Sequence, residues 1–190
     1  MTFHEYVSNS EFSAVYPRTI ASTWDVQVKS RAYNILVSSY LFNGLVGELE
    51  ELGDAETVSD VLGDGERMIS ELGGCLWYLA AIIRELNNIY HYDLLKDLPD
   101  FFSSTSAIVT YPAVNSPNNR WKKILRGDNI SAKDTLMALC RNTLSWASST
   151  YGPERLHKAA EYNLNQLRER FDADLIQGSG DSLEERRGSK

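Results

Sequence analysis

The hexapeptide GELEEL (47–52) sets Glu48 and Glu51 three positions apart, which on a helix puts both side chains on one face of a single turn. Glu71 follows twenty residues after Glu51, at the head of the apolar stretch SELGGCLWYLAAI (70–82). Between them SDVLGDGE (59–66) has the composition of a turn, so two helices joined there would run antiparallel and bring Glu71 opposite Glu48 and Glu51. Such carboxylates repel one another, and no Lys occurs between Lys29 and Lys96. A hard divalent cation held between them relieves the repulsion. Spacing alone leaves a second reading open, because paired glutamates on a helix are also the ordinary make-up of a solvated face. The same apolar stretch carries an oddity. Gly73 and Gly74 adjoin in mid-helix, where each costs about 1 kcal/mol relative to Ala.

The elements that must position these residues are helical. Periodicity predicts a first helix within 24–43, with Val28, Ala32, Ile35 and Leu36 along one side, a second over 44–56, and a third from about Glu66 to Asn88. Residues 96–120 are rich in Ser, Pro and Asn and lack a helical period, so an ordered loop excursion is expected there, burying Phe101, Phe102 and Tyr111. Within it SAIVTY (106–111) is a short β-like run, closed by Pro112 and Pro117. A helix over 131–149 opens on Ser131 as N-cap with Asp134 three residues on, and presents Leu136, Leu139, Cys140, Thr143, Leu144 and Ala147 to the core. The last helix has Pro153 in its first turn and turns Leu156, Ala160, Leu164, Leu167 and Phe171 inward. Trp24, Trp121 and Trp146 are expected as core or interface anchors. From Gln177 the chain is Gly-rich and charged. The expected organisation is therefore an all-α helical bundle over 1–177, with a loop-rich insertion around 96–120 and a charged tail at 178–190.

A chain of 190 residues with 43% apolar and 24% charged residues can bury one globular core. A net charge of −7 speaks against a surface built to neutralise nucleic acid. It leaves room for a small anionic ligand bridged by a cation. MTFHEYVSNSEF at the start has no apolar core of a signal peptide, and no run approaches the length of a membrane span. Cys75 and Cys140 fall at apolar helical positions, as buried thiols of a reducing compartment do, and their spacing to the three His residues fits no zinc site. A cytoplasmic location is expected.

GLVGELEEL (44–52) followed by SELGGCLWYL (70–79) resembles the signature of the MazG-like nucleotide pyrophosphohydrolases, of the all-alpha NTP pyrophosphatase superfamily. That pattern is a Glu-x-x-Glu helix, a spacer, then Glu-x-x-Asp leading into an apolar Leu-Trp-Tyr run. FHEYVSNSEFSAVYPRT (3–19) is similar to the family's N-terminal helix, with its early Tyr. NLNQLRERF (163–171) is similar to its Asn-x-x-Lys-Leu-x-x-Arg segment, and LIQGSGD (175–181) to the stretch that follows. The resemblance spans both ends of the chain and is poor over roughly 90–130. It implies hydrolysis of a (d)NTP to the monophosphate and pyrophosphate. Glu48, Glu51 and Glu71 would be ligands to Mg²⁺ (or Mn²⁺), one of them helping to deprotonate water. Asn163, Gln166 and Arg170 would contact the substrate, and the chain would form a homo-oligomer, dimer or tetramer.

Two positions depart from the pattern. The expected Asp falls on Gly74, and the expected Lys on Gln166. The first removes a ligand, so activity is expected to be impaired unless a nearby acid substitutes. Asp54, one turn beyond Glu51, is the favoured substitute, with Glu85 farther down the third helix. The alternative expectation is a catalytically lapsed protein on the same fold that binds nucleotide or a partner.

Overall fold

The computed structural model describes residues 1–25, 27, 28, 30–62, 65–102 and 115–175, with side chains at 58–62 and 115–117 outside that set. The regular elements are α1 (Phe3–Asn9), α2 (Tyr16–Thr23), α3 (Arg31–Leu62), α4 (Gly65–Tyr90), α5 (Asn115–Leu125) and α6 (Ala132–Asp172), with 3-10 turns at Glu11–Ser13 and Leu94–Asp97. Among the described residues every element is helical, as expected for an all-α chain. No helix of the described residues is long and apolar enough to cross a membrane.

Leu72, Leu76, Leu79, Ala80, Ile82, Ile83 and Leu86 are all buried on α4. A helix that is apolar most of the way round must be covered on more than one side. Here α3 covers one side and α6 another, and α1 crosses a third. α3 ends at Leu62 and α4 begins at Gly65, so the two are antiparallel as expected, but the turn expected over 59–66 is shorter, with 59–62 still in α3 and 65–66 already in α4. α1 is closed by a reciprocal cap in which Thr2 and Glu5 exchange hydrogen bonds. Its Phe3 and Tyr6 pack on Phe101 and Phe102. α2 is fastened through Tyr16, whose hydroxyl donates to Glu85 Oε1 at 2.9 Å. Arg84 donates to the Val7 carbonyl and to Ser10 Oγ at 3.0 and 2.9 Å, holding the end of α1.

Several expectations are corrected. The helices placed at 24–43 and 44–56 are one continuous α3, entered only at Arg31. Its buried side carries Tyr33, Val37, Leu41, Leu45, Leu49 and Leu52. Val28, placed on that side by periodicity, precedes the helix and is 56% exposed. Trp24 is no core anchor either, at 63% exposed, whereas Trp121 and Trp146 are buried. The loop expected over 96–120 ends sooner, because 115–120 already belong to α5. There Trp121 lies flat on Phe42, ring centres 4.9 Å apart and planes 8° off parallel, and donates to Ser39 Oγ at 3.2 Å. That anchoring overrides the poor helix propensity of NSPNN. The β-like run, Tyr111 and the tail at 178–190 lie outside the described residues. Phe101 and Phe102 are buried as expected. The helices predicted at 131–149 and after Pro153 run on as α6 across a break at Gly152, whose φ of 73° suits glycine. Ser131 caps the start of α6 as predicted. Phe171, expected inward, is 54% exposed and meets Phe12 edge to face.

Substitution of glycines separates packing from helix propensity. A Cβ at position 73 would stand 2.9 Å from Asn163 Cβ and 3.0 Å from the Ala159 carbonyl oxygen, whereas one at position 47 meets nothing within 4 Å. Gly47→Ala is expected to raise stability by up to about 1 kcal/mol through helix propensity. Gly73→Ala should lower it by about 1 to 2 kcal/mol despite the same gain, because two helices are forced apart. Urea unfolding of both variants checks the opposite signs.

Glu85 gives a pH signature. Burial raises its carboxyl above the usual range, against the Tyr16 and Asn88 hydrogen bonds and Arg84, which pull it down. The folded state then holds this proton more tightly than the unfolded chain. This contribution is therefore most favourable below the ordinary carboxylate pKa and is lost as pH rises through the raised value. Unfolding free energies of wild type and Glu85→Gln should converge near pH 4 and separate toward neutrality, with the variant the more stable.

Candidate functional site

Antiparallel register decides which residues of α3 and α4 face one another. Gly44 sits under the ring of Tyr78, where a Cβ would lie 2.1 Å from a ring carbon, and Gly74 sits under Glu48. Three residues further along α3 and three back along α4, the same register pairs Glu51 with Glu71. The outcome is that Glu48, Glu51 and Glu71 each offer a carboxylate oxygen, all within 4.8 Å of one another. Glu48 and Glu51 are half-buried and Glu71 is 3% exposed. The three glutamates singled out by spacing therefore converge, and the solvated-face alternative does not describe them.

At separations of about 4 Å each like-charged pair costs from about 1 kcal/mol in bulk water to about 4 kcal/mol at an effective dielectric of 20. Arg67 stands at the edge, one turn before Glu71, with Nε 3.9 Å from Glu71 Oε1 and its side chain 41% exposed. A long, half-exposed contact of this kind returns little. The Cys75 thiol reports the field of the cluster. It is held well above its usual range by burial first, then by Glu48, Glu71 and Glu51. Cys75 is thus a neutral buried thiol, consistent with the hydrophobic role expected for it, and no nucleophile.

Gly74 has a structural purpose. A Cβ there would lie 1.9 Å from Glu48 Oε2 and 2.6 Å from its carboxyl carbon. The carboxylate of Glu48 occupies the space in which a side chain at position 74 would begin. Gly73, its neighbour, admits α6, so the paired glycines serve two different contacts. The acids proposed to make up for Gly74 do not join the cluster. Asp54 is exposed and outside the group within 4.8 Å, because one more turn of α3 carries it past Glu71. Glu85 is committed to Tyr16.

Asn163 lies over Gly73 and is half-buried. Its position on the inner side of α6 predicts a polar partner, and the structure supplies one that the sequence does not disclose: the Tyr6 hydroxyl donates to Asn163 Oδ1 at 2.8 Å. Gln166 and Arg170, both half-buried, follow at one and two turns on the same face of α6. Arg67 and the pairing of Tyr6 with Asn163 are what site reasoning from spacing misses. For Tyr6 the signal is faint, since 157 positions separate it from Asn163.

The donor set suits a hard cation. It is all carboxylate oxygen, and oxygens sharing one Mg²⁺ stand at most roughly 4 Å apart given bonds of about 2.1 Å. The observed 4.8 Å limit is thus within a small side-chain adjustment of that spacing. Removing one charge should show the balance. In EDTA, Glu48→Gln is expected to stabilise the protein by about 1 kcal/mol through relief of like-charge repulsion. Adding Mg²⁺ should raise the melting temperature of wild type and leave the variant nearly unmoved, which a thermal-shift titration would register. In comparisons with known proteins, no family model, curated protein or solved structure matches this chain.

Proposed function

We propose that this chain is a Mg²⁺-dependent nucleoside triphosphate pyrophosphohydrolase of the MazG-like kind, converting (d)NTP and water to (d)NMP and pyrophosphate at a reduced rate. The observation that carries the reading is the convergence of Glu48, Glu51 and Glu71 from two helices to within 4.8 Å. Their order and spacing resemble the family's ligand motif, and Asn163 and Arg170 stand at its later positions.

In this reaction a water oxygen bonds to the α-phosphorus, the bond from that phosphorus to the β-bridging oxygen breaks, and the water proton must leave. A bound divalent ion (Mg²⁺ or Mn²⁺) supplies charge neutralisation for the triphosphate and makes water more acidic. Glu48, Glu51 and Glu71 would hold that ion, and a carboxylate oxygen of the same cluster would accept the departing proton. Asn163, Gln166 and Arg170 contact phosphate or sugar along the α6 face. With glycine at position 74 the set is three carboxylates rather than four, enough for one ion completed by waters and too few to hold a second firmly. A loss of several kcal/mol in transition-state stabilisation follows, at about tenfold in rate per 1.4 kcal/mol. The homo-oligomer belongs to the same proposal and is checked by light scattering.

One observation favours a second reading, a lapsed enzyme that binds nucleotide or a partner without turnover. The Glu48 carboxylate fills the space at Gly74, and among the described residues no fourth acid joins the group. Pyrophosphate release across a panel of NTPs and dNTPs decides between them. Slow turnover that needs Mg²⁺ and falls about 100-fold or more in Glu71→Gln supports the enzyme. An inert wild type that binds nucleotide by calorimetry, with turnover recovered in Gly74→Asp, supports the lapsed binder. In that variant Glu48 must swing aside to admit the new side chain. Absence of both binding and turnover overturns both readings.

A further inference from the structure

The hydrogen bond from Tyr6 to Asn163 joins the two ends of the described chain and does more than tie α1 to α6. Tyr6 is fully buried, with Phe3 and Phe102 rings 6.5 and 6.2 Å away. Its hydroxyl is pushed far above the ordinary tyrosine range by burial, with Arg84 opposing, so it stays protonated and remains a donor. The acceptor is Asn163 Oδ1 at 2.8 Å. The stem of Asn163 is confined as well, since Gly73 leaves just enough room for its Cβ. A confined asparagine keeps one easy freedom, the half-turn that exchanges its oxygen and nitrogen. A fixed donor aimed at Oδ1 removes it.

We infer that Tyr6 is a positioning residue, which turns the Asn163 amide so that Nδ2–H₂ is the group offered to a bound ligand, and that the ligand must present an oxygen acceptor there. The identity of that ligand as a nucleoside triphosphate rests on the function proposed above. Asn163 overlies Gly73, and the Glu48 carboxylate overlies the next residue, Gly74. The Asn163 stem and the Glu48 carboxylate thus approach consecutive residues of α4, one from α6 and the other from α3. Phosphate oxygens, a sugar hydroxyl and a base carbonyl all accept from an amide, whereas a ring N–H or an exocyclic amine does not.

The test uses the full chain with Mg²⁺ and two probes, the α,β-imido analogues of the four dNTPs and inorganic tripolyphosphate. In ¹⁵N spectra of wild type, the Asn163 side-chain NH₂ pair should move when an analogue binds. Movement with tripolyphosphate as well places the acceptor on phosphate, and movement with the nucleotides alone places it on sugar or base. Asn163→Ala should weaken analogue binding about tenfold, the scale of one lost hydrogen bond. Tyr6→Phe should weaken it about threefold to tenfold, split or broaden the Asn163 NH₂ signal, and have no further effect in the Asn163→Ala background. An unmoved NH₂ pair in wild type that binds the analogue overturns the inference without recourse to any variant. So does a Tyr6→Phe loss of equal size with or without Asn163, the mark of a merely structural tyrosine. A wild type that binds neither probe overturns the proposed function and the inference together.

Discussion

The close approach of α3 and α6 to α4 at two adjacent residues without side chains is the constraint on which the rest depends. At Gly74 the side of α4 is open to the Glu48 carboxylate, and at Gly73 it is open to Asn163 and the Ala159 carbonyl. Two glycines in mid-helix cost about 2 kcal/mol relative to alanine. The contacts they admit account for that cost being retained. With a side chain at either place, a carboxylate would be displaced from the cluster or α6 would be held off the core.

Two buried carboxyls on α4 show how differently the fold treats charge. Glu85 is surrounded by groups that complement it, with the Tyr16 hydroxyl at hydrogen-bond distance and Arg84 beside it. Its role is to fasten α2 to the bundle, and burial favours its neutral form. Glu71 is buried to a similar degree but faces two more carboxylates, with Arg67 reaching it from the edge. Carboxyls gathered in this way gain little from one another and much from a divalent ion. The contrast separates a structural acid from one with a candidate role in binding.

The space at Gly74 also bears on how the proposed chemistry is limited. No other acid among the described residues joins the cluster, since Asp54 is exposed and outside it and Glu85 is engaged by Tyr16. The Glu48 carboxylate has settled into the vacated side-chain position instead. Under the proposed function, three carboxylates would hold one ion rather than two.

Local chemistry was enough to identify the helices that carry the site. Glu48 and Glu51 at i and i+3, Glu71 before an apolar run, the Ser131 cap and the Gly152–Pro153 break are all short-range signals; they allow the three glutamates to converge but leave a solvated face equally open. Helix ends and exposures were less legible, as Val28, Trp24 and Phe171 show, because an apolar residue is buried only if a neighbouring element reaches it. Helix α5 is held by Trp121 on Phe42, a contact across nearly eighty positions that overrides the weak propensity of its first turn. The Tyr6–Asn163 bond, the resting place of Glu48 and the exclusion of Asp54 were decided only in three dimensions. Sequence periodicity fixes which side of its own helix a residue occupies, but distances between helices depend on the bulk of the side chains where they cross, and at Gly73 and Gly74 that bulk is absent.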